Sequence, residues 1–125
     1  MKNISYCVYH NPMCSKSRQS LELLNQRTNN FYIIEYLKVK INDQAFKKSI
    51  QCLVLPYYDI IRDQNIIFKN MNIDKITLTI DQITNLIIEN PILLQRPLIT
   101  KYKNKQAIKS IIGRPPEKIN LLFDN

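Results

Sequence analysis

The first third of the chain constrains the fold most strongly, because a strand, a turn, a helix and a second strand follow without interruption. Ile4 to Tyr9 is apolar and predicts a strand. Asn11-Pro12 ends it, since proline fixes φ and cannot donate a hydrogen bond to a neighbouring strand. A helical pattern from Ser15, the start signal, to about Gln26 precedes a second apolar strand, Phe31 to Tyr36. This order predicts a βαβ unit with a parallel strand pair and a right-handed crossover.

A block of helical pattern, about residues 43–90, separates this unit from the last third of the chain. The block is too short to bury a core of its own, so we expect a helical insertion within a single domain of residues 1–125. Helices are predicted at Asp43 to Leu53, from Pro56 through Arg62, at Asn65 to Met71 and at Thr79 to Glu89.

The last third returns to strand pattern. Leu98 to Tyr102 and Gln106 to Ile111 flank a short polar turn and predict a β-hairpin. Gly113 to Pro116 then opens a last helix, because proline is well placed in a first turn. Three of its residues are expected to face inward, namely Ile119, Leu122 and Phe123. The complete order predicts an α/β fold of thioredoxin-like type, with a four-stranded mixed sheet and the helical insertion between its βαβ and ββα halves.

Cys14 lies at the turn from the first strand to the first helix, where thiolate chemistry is favoured. Free N–H groups and the positive end of the helix dipole favour a negative charge there, so the thiol should lose its proton easily. The same turn can hold an oxyanion, and Lys16 and Arg18 add positive charge. The alternative is that Cys14 is a small buried hydrophobe and Arg18 a solvated helix residue.

Composition narrows the function classes. The odd number of cysteines, three, argues against a disulfide framework and fits a reducing compartment. Neither a long apolar run nor a signal-peptide pattern is present, so we expect a cytoplasmic monomer without membrane contact. No Cys/His pattern suggests a metal site. The net charge of +8 is spread along the chain without a nucleic-acid motif, so we expect an anionic substrate or acidic protein partner instead.

Four segments carry a resemblance to a known family, and they are His10 to Arg18, Ile34 to Lys38, Asn90 to Ile99 and Ile112 to Glu117. In order and spacing they resemble the glutaredoxin-linked arsenate reductase family, the ArsC-like proteins, over nearly the whole chain. The resemblance implies that Cys14 attacks arsenate, that no cofactor is bound, and that glutathione is the co-substrate with glutaredoxin as partner.

The family's anion-binding arginines correspond to Arg62, Arg96 and Arg114. Arginine suits this role because its planar guanidinium donates two parallel hydrogen bonds and stays protonated. Each has an ordinary alternative, such as a helix-surface position for Arg62. At Asp63-Gln64 the sequence departs from the family's usual Lys-Glu.

The resemblance also assigns supporting positions at the site, and these are His10, Asn11, Ser15, Ser17, Arg18 and Pro97. Pro97 would take the cis form beside the reactive cysteine, which only proline does at modest cost. His10 either tunes the thiolate and the anion or is a turn residue satisfied by backbone groups.

Ser17 makes the turn a CxxS rather than a CxxC, so Cys14 cannot form a disulfide with the residue three places on. Cys7 and Cys52 are expected to be packed and inert. Two alternatives stay open. One is a thiol oxidoreductase of the same fold without arsenate activity. The other is a redox-sensing regulator that binds RNA polymerase, a related branch that carries CxxC at this turn, where Ser17 argues against it.

Overall fold

Four strands form one mixed sheet in the computed structural model, which describes residues 3–123. β1 (Ile4–Tyr9) pairs in parallel with β2 (Phe31–Ile34). β3 (Leu98–Lys103) runs antiparallel to β1, and β4 (Gln106–Ile112) runs antiparallel to β3. The strand order is β2-β1-β3-β4. The predicted α/β fold with a four-stranded mixed sheet is therefore confirmed, including the parallel pair at the start.

Alternation along β1 divides the core into two layers. Tyr6 and Val8 face the layer that holds α1 (Ser15–Arg27) and the last helix, where Leu24 and Ile119 are buried. Cys7 and its neighbour Tyr9 point the other way, into the larger apolar cluster shared with the insertion. β1 therefore contributes side chains to both layers of the core, because its residues alternate between two covered faces of the sheet.

The insertion consists of short helices, and in order they are α2 (Asp43–Gln51), a 3₁₀ turn at Tyr57–Ile60, α3 (Ile66–Asn70), a 3₁₀ turn at Lys75–Thr77, α4 (Ile80–Glu89) and a 3₁₀ turn at Pro91–Leu93. Each α-helix begins after a residue whose side chain accepts a hydrogen bond from the first turn, and these residues are Asn42, Asn65 and Thr79. The helix predicted from Pro56 through Arg62 is only the short 3₁₀ turn, because Ile61 becomes extended and bridges to Leu94.

Other limits of the helices and strands also differ from prediction. β2 ends at Ile34 rather than Tyr36, because its only partner, β1, ends at Tyr9 opposite Ile34. α1 begins at Ser15 as predicted, although its N-cap is the extended residue before Ser15, Cys14. The last helix, Pro116–Leu122, is 3₁₀.

The hairpin turn between β3 and β4 is two residues long and left-handed. Asn104 and Lys105 have φ of 52° and 68°. Positive φ at both central positions matches the twist of a tight hairpin, and asparagine tolerates it well. Within the described residues, 3–123, no helix is both long and apolar enough to cross a membrane.

Candidate active site

Cys14 is placed by the turn between β1 and α1. Its N–H donates to the carbonyl of Asn11 at 3.0 Å, and its own carbonyl accepts from the N–H of Arg18 at 3.0 Å. The backbone at Cys14 is extended, with φ −98° and ψ 122°, and helical geometry begins at the next residue. The thiol is largely buried, with 9% of the residue exposed. This position directs the sulfur toward the free N–H groups of the first helical turn.

Ser17 holds this turn together from inside the protein. Its hydroxyl is fully buried, lies 2.7 Å from Nδ1 of His10 and accepts from the N–H of Asn11 at 3.1 Å. The side chain of Asn11 in turn accepts from the N–H of Met13. Burial lowers the pKa of His10, and the charge of Arg18 lowers it further against the opposing effect of Glu35. His10 is therefore held as the neutral imidazole at neutral pH.

Arg114 reaches Cys14 from the end of the hairpin. Its Nη1 lies 3.8 Å from Sγ of Cys14 and donates to the backbone carbonyl of Arg96 at 3.2 Å. The peptide bonds Arg96–Pro97 and Arg114–Pro115 are both cis, and the first agrees with the expectation for Pro97. One guanidinium thus links the thiol to the segment that carries the second predicted arginine.

Gly113 allows this close approach. Its N–H donates to the carbonyl of Pro97 at 2.9 Å, and its carbonyl accepts from the hydroxyl of Ser20 on α1 at 3.1 Å. A Cβ at Gly113 would lie 2.3 Å from Oγ of Ser20 and 2.9 Å from Cγ of Pro97. The backbone of β4 can therefore pass between α1 and Pro97 only because the residue has no side chain.

Arg62 is brought in by a short bridge between the insertion and the chain leading to β3. Ile61 pairs antiparallel with Leu94, and the N–H of Arg62 donates to the carbonyl of Leu93 at 2.8 Å. The side chain also donates to the carbonyl of Ile92 at 3.0 Å. Burial lowers the pKa of Arg62, and the nearby charge of Arg96 lowers it further. The guanidinium groups are therefore close enough to repel one another, which favours binding of an anion between them.

The three predicted arginines line one open pocket of about 320 Å³, together with Asp63, Gln64, Asn65 and Gln95. Within the described part of the chain, the buried Nε of Arg96 has no hydrogen-bond partner. A buried donor without a partner is costly in a folded protein, and an oxyanion in the pocket would satisfy it. Cys14 does not line this pocket itself. Arg114 connects the thiol to the pocket, because it lines the pocket and also contacts the Cys14 sulfur.

The surroundings of Cys14 favour its thiolate. Burial raises the pKa of the Cys14 thiol, but N–H groups of Ser17 and Lys16, the charge of Arg96 and the hydrogen bond from Arg114 outweigh this effect and lower the pKa. The other two thiols behave differently, since burial raises the pKa of Cys7 to about 12 and also raises that of Cys52. Both are free, and Cys52 is partly exposed. Of the three thiols, Cys14 is the one in an activating environment.

The six predicted supporting residues are not among those that line the arginine pocket. Ser15 is exposed on the first turn of α1, and Arg18 is exposed and donates through Nη1 to the carbonyl of Pro12 at 2.8 Å. Arg18 therefore stabilises the turn, whereas Arg62, Arg96 and Arg114 line the pocket. In residues 3–123, no group of three His, Cys, Asp or Glu side chains is arranged to hold a metal ion.

Tyr36 is a site neighbour that the sequence pattern did not indicate. Its side chain is 2% exposed, and burial raises its pKa to about 12, while the charges of Arg96 and Arg62 act to lower it and the thiolate of Cys14 to raise it. The sequence predicts Tyr36 as the last residue of β2. Because the sequence does not specify how that strand pairs, it does not indicate which groups the Tyr36 hydroxyl approaches. Its place within the segment that resembles the ArsC-like proteins was the available signal.

Comparison with known proteins agrees with this geometry. Residues 9–122 match the model of the ArsC family. The chain is 29% identical over 117 residues to the arsenate reductase of Haemophilus influenzae, covering 93% of this chain and 97% of that protein. It is 27% identical over 113 residues to the uncharacterized protein YfgD of Escherichia coli, covering 90% and 91%.

The solved structure of an arsenate reductase from Vibrio cholerae superposes with a TM-score of 0.74 at 32% identity, covering 94% of this chain and 96% of that one. The family match extends from the last residue of β1 to the last helix and so includes the thiol turn, the insertion and the hairpin. The chain belongs to the ArsC family.

Proposed function

We propose that this protein reduces arsenate to arsenite, with the Cys14 thiolate as nucleophile, glutathione as reductant and glutaredoxin as the partner that regenerates the thiol. The observation that carries the proposal is the contact between Arg114 and Cys14. A guanidinium nitrogen of Arg114 lies 3.8 Å from the sulfur and also donates to the backbone of Arg96, whose buried Nε has no hydrogen-bond partner among residues 3–123. The nucleophile therefore lies beside guanidinium groups that would bind the oxyanion.

Each group has a defined part in this reaction. The arginines would bind a tetrahedral dianion through paired hydrogen bonds and offset its repulsion by the thiolate. The first turn of α1 would stabilise charge on the sulfur. Neutral His10, fixed by Ser17, keeps a second positive charge out of the turn.

The two electrons that reduce arsenic come from two thiols, those of Cys14 and glutathione. Cys14 Sγ bonds to arsenic, and one arsenate oxygen, protonated, leaves as water. The glutathione thiol then adds to the bound arsenic, and its proton passes to an arsenate oxygen. A sulfur–sulfur bond forms between Cys14 and glutathione as both arsenic–sulfur bonds break. The two electrons released reduce arsenic(V) to arsenic(III), which departs as arsenite. Glutaredoxin then takes the glutathionyl group and returns Cys14 to the thiol.

Relatives whose names state the activity support the choice of substrate. The arsenate reductases of Haemophilus influenzae and Vibrio cholerae align with this chain over nearly its whole length. The aligned region includes the thiol turn and the three arginines, which are the groups that this chemistry needs.

The test is arsenate-dependent oxidation of NADPH, coupled through glutathione, glutaredoxin and glutathione reductase. Wild-type protein should turn over, and Cys14→Ser should lose activity at least a thousandfold, because a hydroxyl cannot form the disulfide. A Cys7→Ala/Cys52→Ala protein is the matched control and should keep most of its turnover. Loss of turnover in that control, with a normal fold, would implicate an internal disulfide and contradict the glutathione route.

A second candidate follows from the similarity to YfgD, a protein whose name assigns no activity. In that case the same site would use glutathione on another oxyanion or on a disulfide. A reactive Cys14 with no arsenate-dependent NADPH oxidation would favour this candidate over arsenate reduction.

A further inference from the structure

The negatively charged side chain of Asp63 is unexpected beside a pocket that would bind anions. It follows Arg62 directly, and its side chain lines the same pocket as Arg62, Arg96 and Arg114. An unneutralised carboxylate there would repel an oxyanion and offer the guanidinium groups a competing partner. Something must therefore control the charge of Asp63 if the pocket is to bind anions.

Lys75, from another part of the insertion, forms an ion pair with Asp63. Its Nζ lies 3.0 Å from Oδ2 of Asp63 and 3.4 Å from Oδ1 of Asp59. The lysine side chain is 22% exposed, whereas the two carboxylate side chains are near 40%, and the ammonium also lies 5.9 Å from the ring centre of Tyr58. Burial lowers the pKa of Lys75, but the hydrogen bonds and charges of Asp63 and Asp59 outweigh it and raise that pKa, so the ammonium stays charged.

The two partners of Lys75 differ in one respect. Asp63 lines both the arginine pocket and a neighbouring pocket of about 220 Å³, whereas Asp59 lines only the neighbouring one. Lys75 lines that neighbouring pocket too. Arg114 lines both pockets. Among residues 3–123, Asp63 forms its ion pair with Lys75 and none with an arginine.

We propose that Lys75 is a positioning residue that holds the Asp63 carboxylate in an ion pair, so that it does not pair with Arg62, Arg96 or Arg114, and cancels its charge. The arginines are then left to an incoming oxyanion rather than to an internal carboxylate. This role rests on the proposed function, since it assumes that the pocket binds the anionic substrate. In this role the Lys75–Asp63 ion pair determines how tightly the pocket binds an anion and leaves the rate of the chemical step unchanged.

The test uses inorganic phosphate, an inert tetrahedral oxyanion, to protect Cys14 from iodoacetamide, with modification followed on the Cys14 peptide by mass spectrometry. In Lys75→Met, the phosphate concentration that gives half-protection should rise about fivefold, as for one partly screened charge. Lys75→Met/Asp63→Asn should return to the wild-type value, and Lys75→Arg should stay near it. The matched control, Lys75→Met/Asp59→Asn, should remain as weak as Lys75→Met.

The outcomes separate the two levels of the proposal. Equal half-protection in wild type and Lys75→Met overturns the role of Lys75, and so does equal rescue by Asp59→Asn and Asp63→Asn, which would indicate a structural effect. If Lys75→Met does not fold, Asp63→Asn alone decides, because it should bind phosphate at least as tightly as wild type, and weaker binding overturns the role. Wild-type protein that phosphate does not protect would overturn the anion site itself, and the inference with it.

Discussion

Cys14 is a thiol on which burial and local charge act in opposite directions. Burial raises its pKa, and the helix N–H groups with Arg96 and Arg114 lower it by more. Its alkylation rate should therefore rise with pH through a midpoint below the value of about 8.5 for a free cysteine. The midpoint of Cys52 should lie above that value, because burial raises its pKa. Peptide-level mass spectrometry across pH 5–10 measures both, and a Cys14 midpoint at or above that of Cys52 would contradict the assignment.

Arg96 is predicted to act through the shape of its side chain as well as its charge. Its buried Nε has no hydrogen-bond partner within the described residues. This favours a ligand that accepts two parallel hydrogen bonds from the planar guanidinium group. Arg96→Lys should weaken phosphate protection of Cys14 by about tenfold, because the ammonium keeps the charge and loses the paired hydrogen bonds. Arg27→Lys, at the far end of α1, is the matched control and should behave like wild type. Equal protection in both variants would rule out a bidentate contact by Arg96.

At the scale of elements, the turn between β1 and α1 is held by one buried hydroxyl. Ser17 serves both His10 and the N–H of Asn11. Ser17→Ala should lower the free energy of unfolding by about 1–3 kcal/mol, because the buried His10 ring nitrogen and the part-buried N–H of Asn11 lose their partner. Ser15→Ala, two residues earlier and exposed, should change it by less than about 0.5 kcal/mol. Urea unfolding measures both, and equal effects would show that the hydroxyl of Ser17 is not structural.

Most elements were predictable because their signals are local. The period-2 pattern of Ile4–Tyr9, the cap at Thr79 and the polar hairpin turn each depend on a few adjacent residues. The boundaries that differ depend on distant partners. β2 stops where β1 stops, and the chain after Pro56 leaves its 3₁₀ turn because Ile61 bridges to Leu94. No local propensity contains that information.

At the scale of the whole molecule, the sheet brings together groups that are about a hundred residues apart. β3 lies beside β1, so the hairpin returns Arg114 to Cys14, and the bridge at Ile61 places Arg62 on the same pocket. The resemblance to ArsC-like proteins named the three arginines, which composition and periodicity did not. The contribution of Asp63, Lys75 and Tyr36 depends on side-chain packing between elements, which no pattern along the chain specifies.

The net charge of +8 and the open arginine pocket predict a dependence on salt. The screening length falls from about 8 Å at 0.15 M salt to about 3 Å at 1 M, so phosphate protection of Cys14 should weaken markedly over that range. Alkylation by uncharged iodoacetamide without phosphate should change much less, since the largely buried thiol is screened less. Protection that is independent of salt would indicate that the anion is held by uncharged groups.

The most direct measurement is the location of arsenic in a crystal of the Cys14→Ser protein soaked with arsenate, from anomalous diffraction at the arsenic absorption edge. The variant keeps the pocket and prevents reduction. We expect one arsenic peak beside residue 14, with its oxygens within hydrogen-bond distance of Arg62, Arg96 and Arg114 and one of them on Nε of Arg96. An arsenic peak elsewhere on the protein, or a vacant arginine pocket at saturating arsenate, would contradict a shared site for the thiol and the oxyanion.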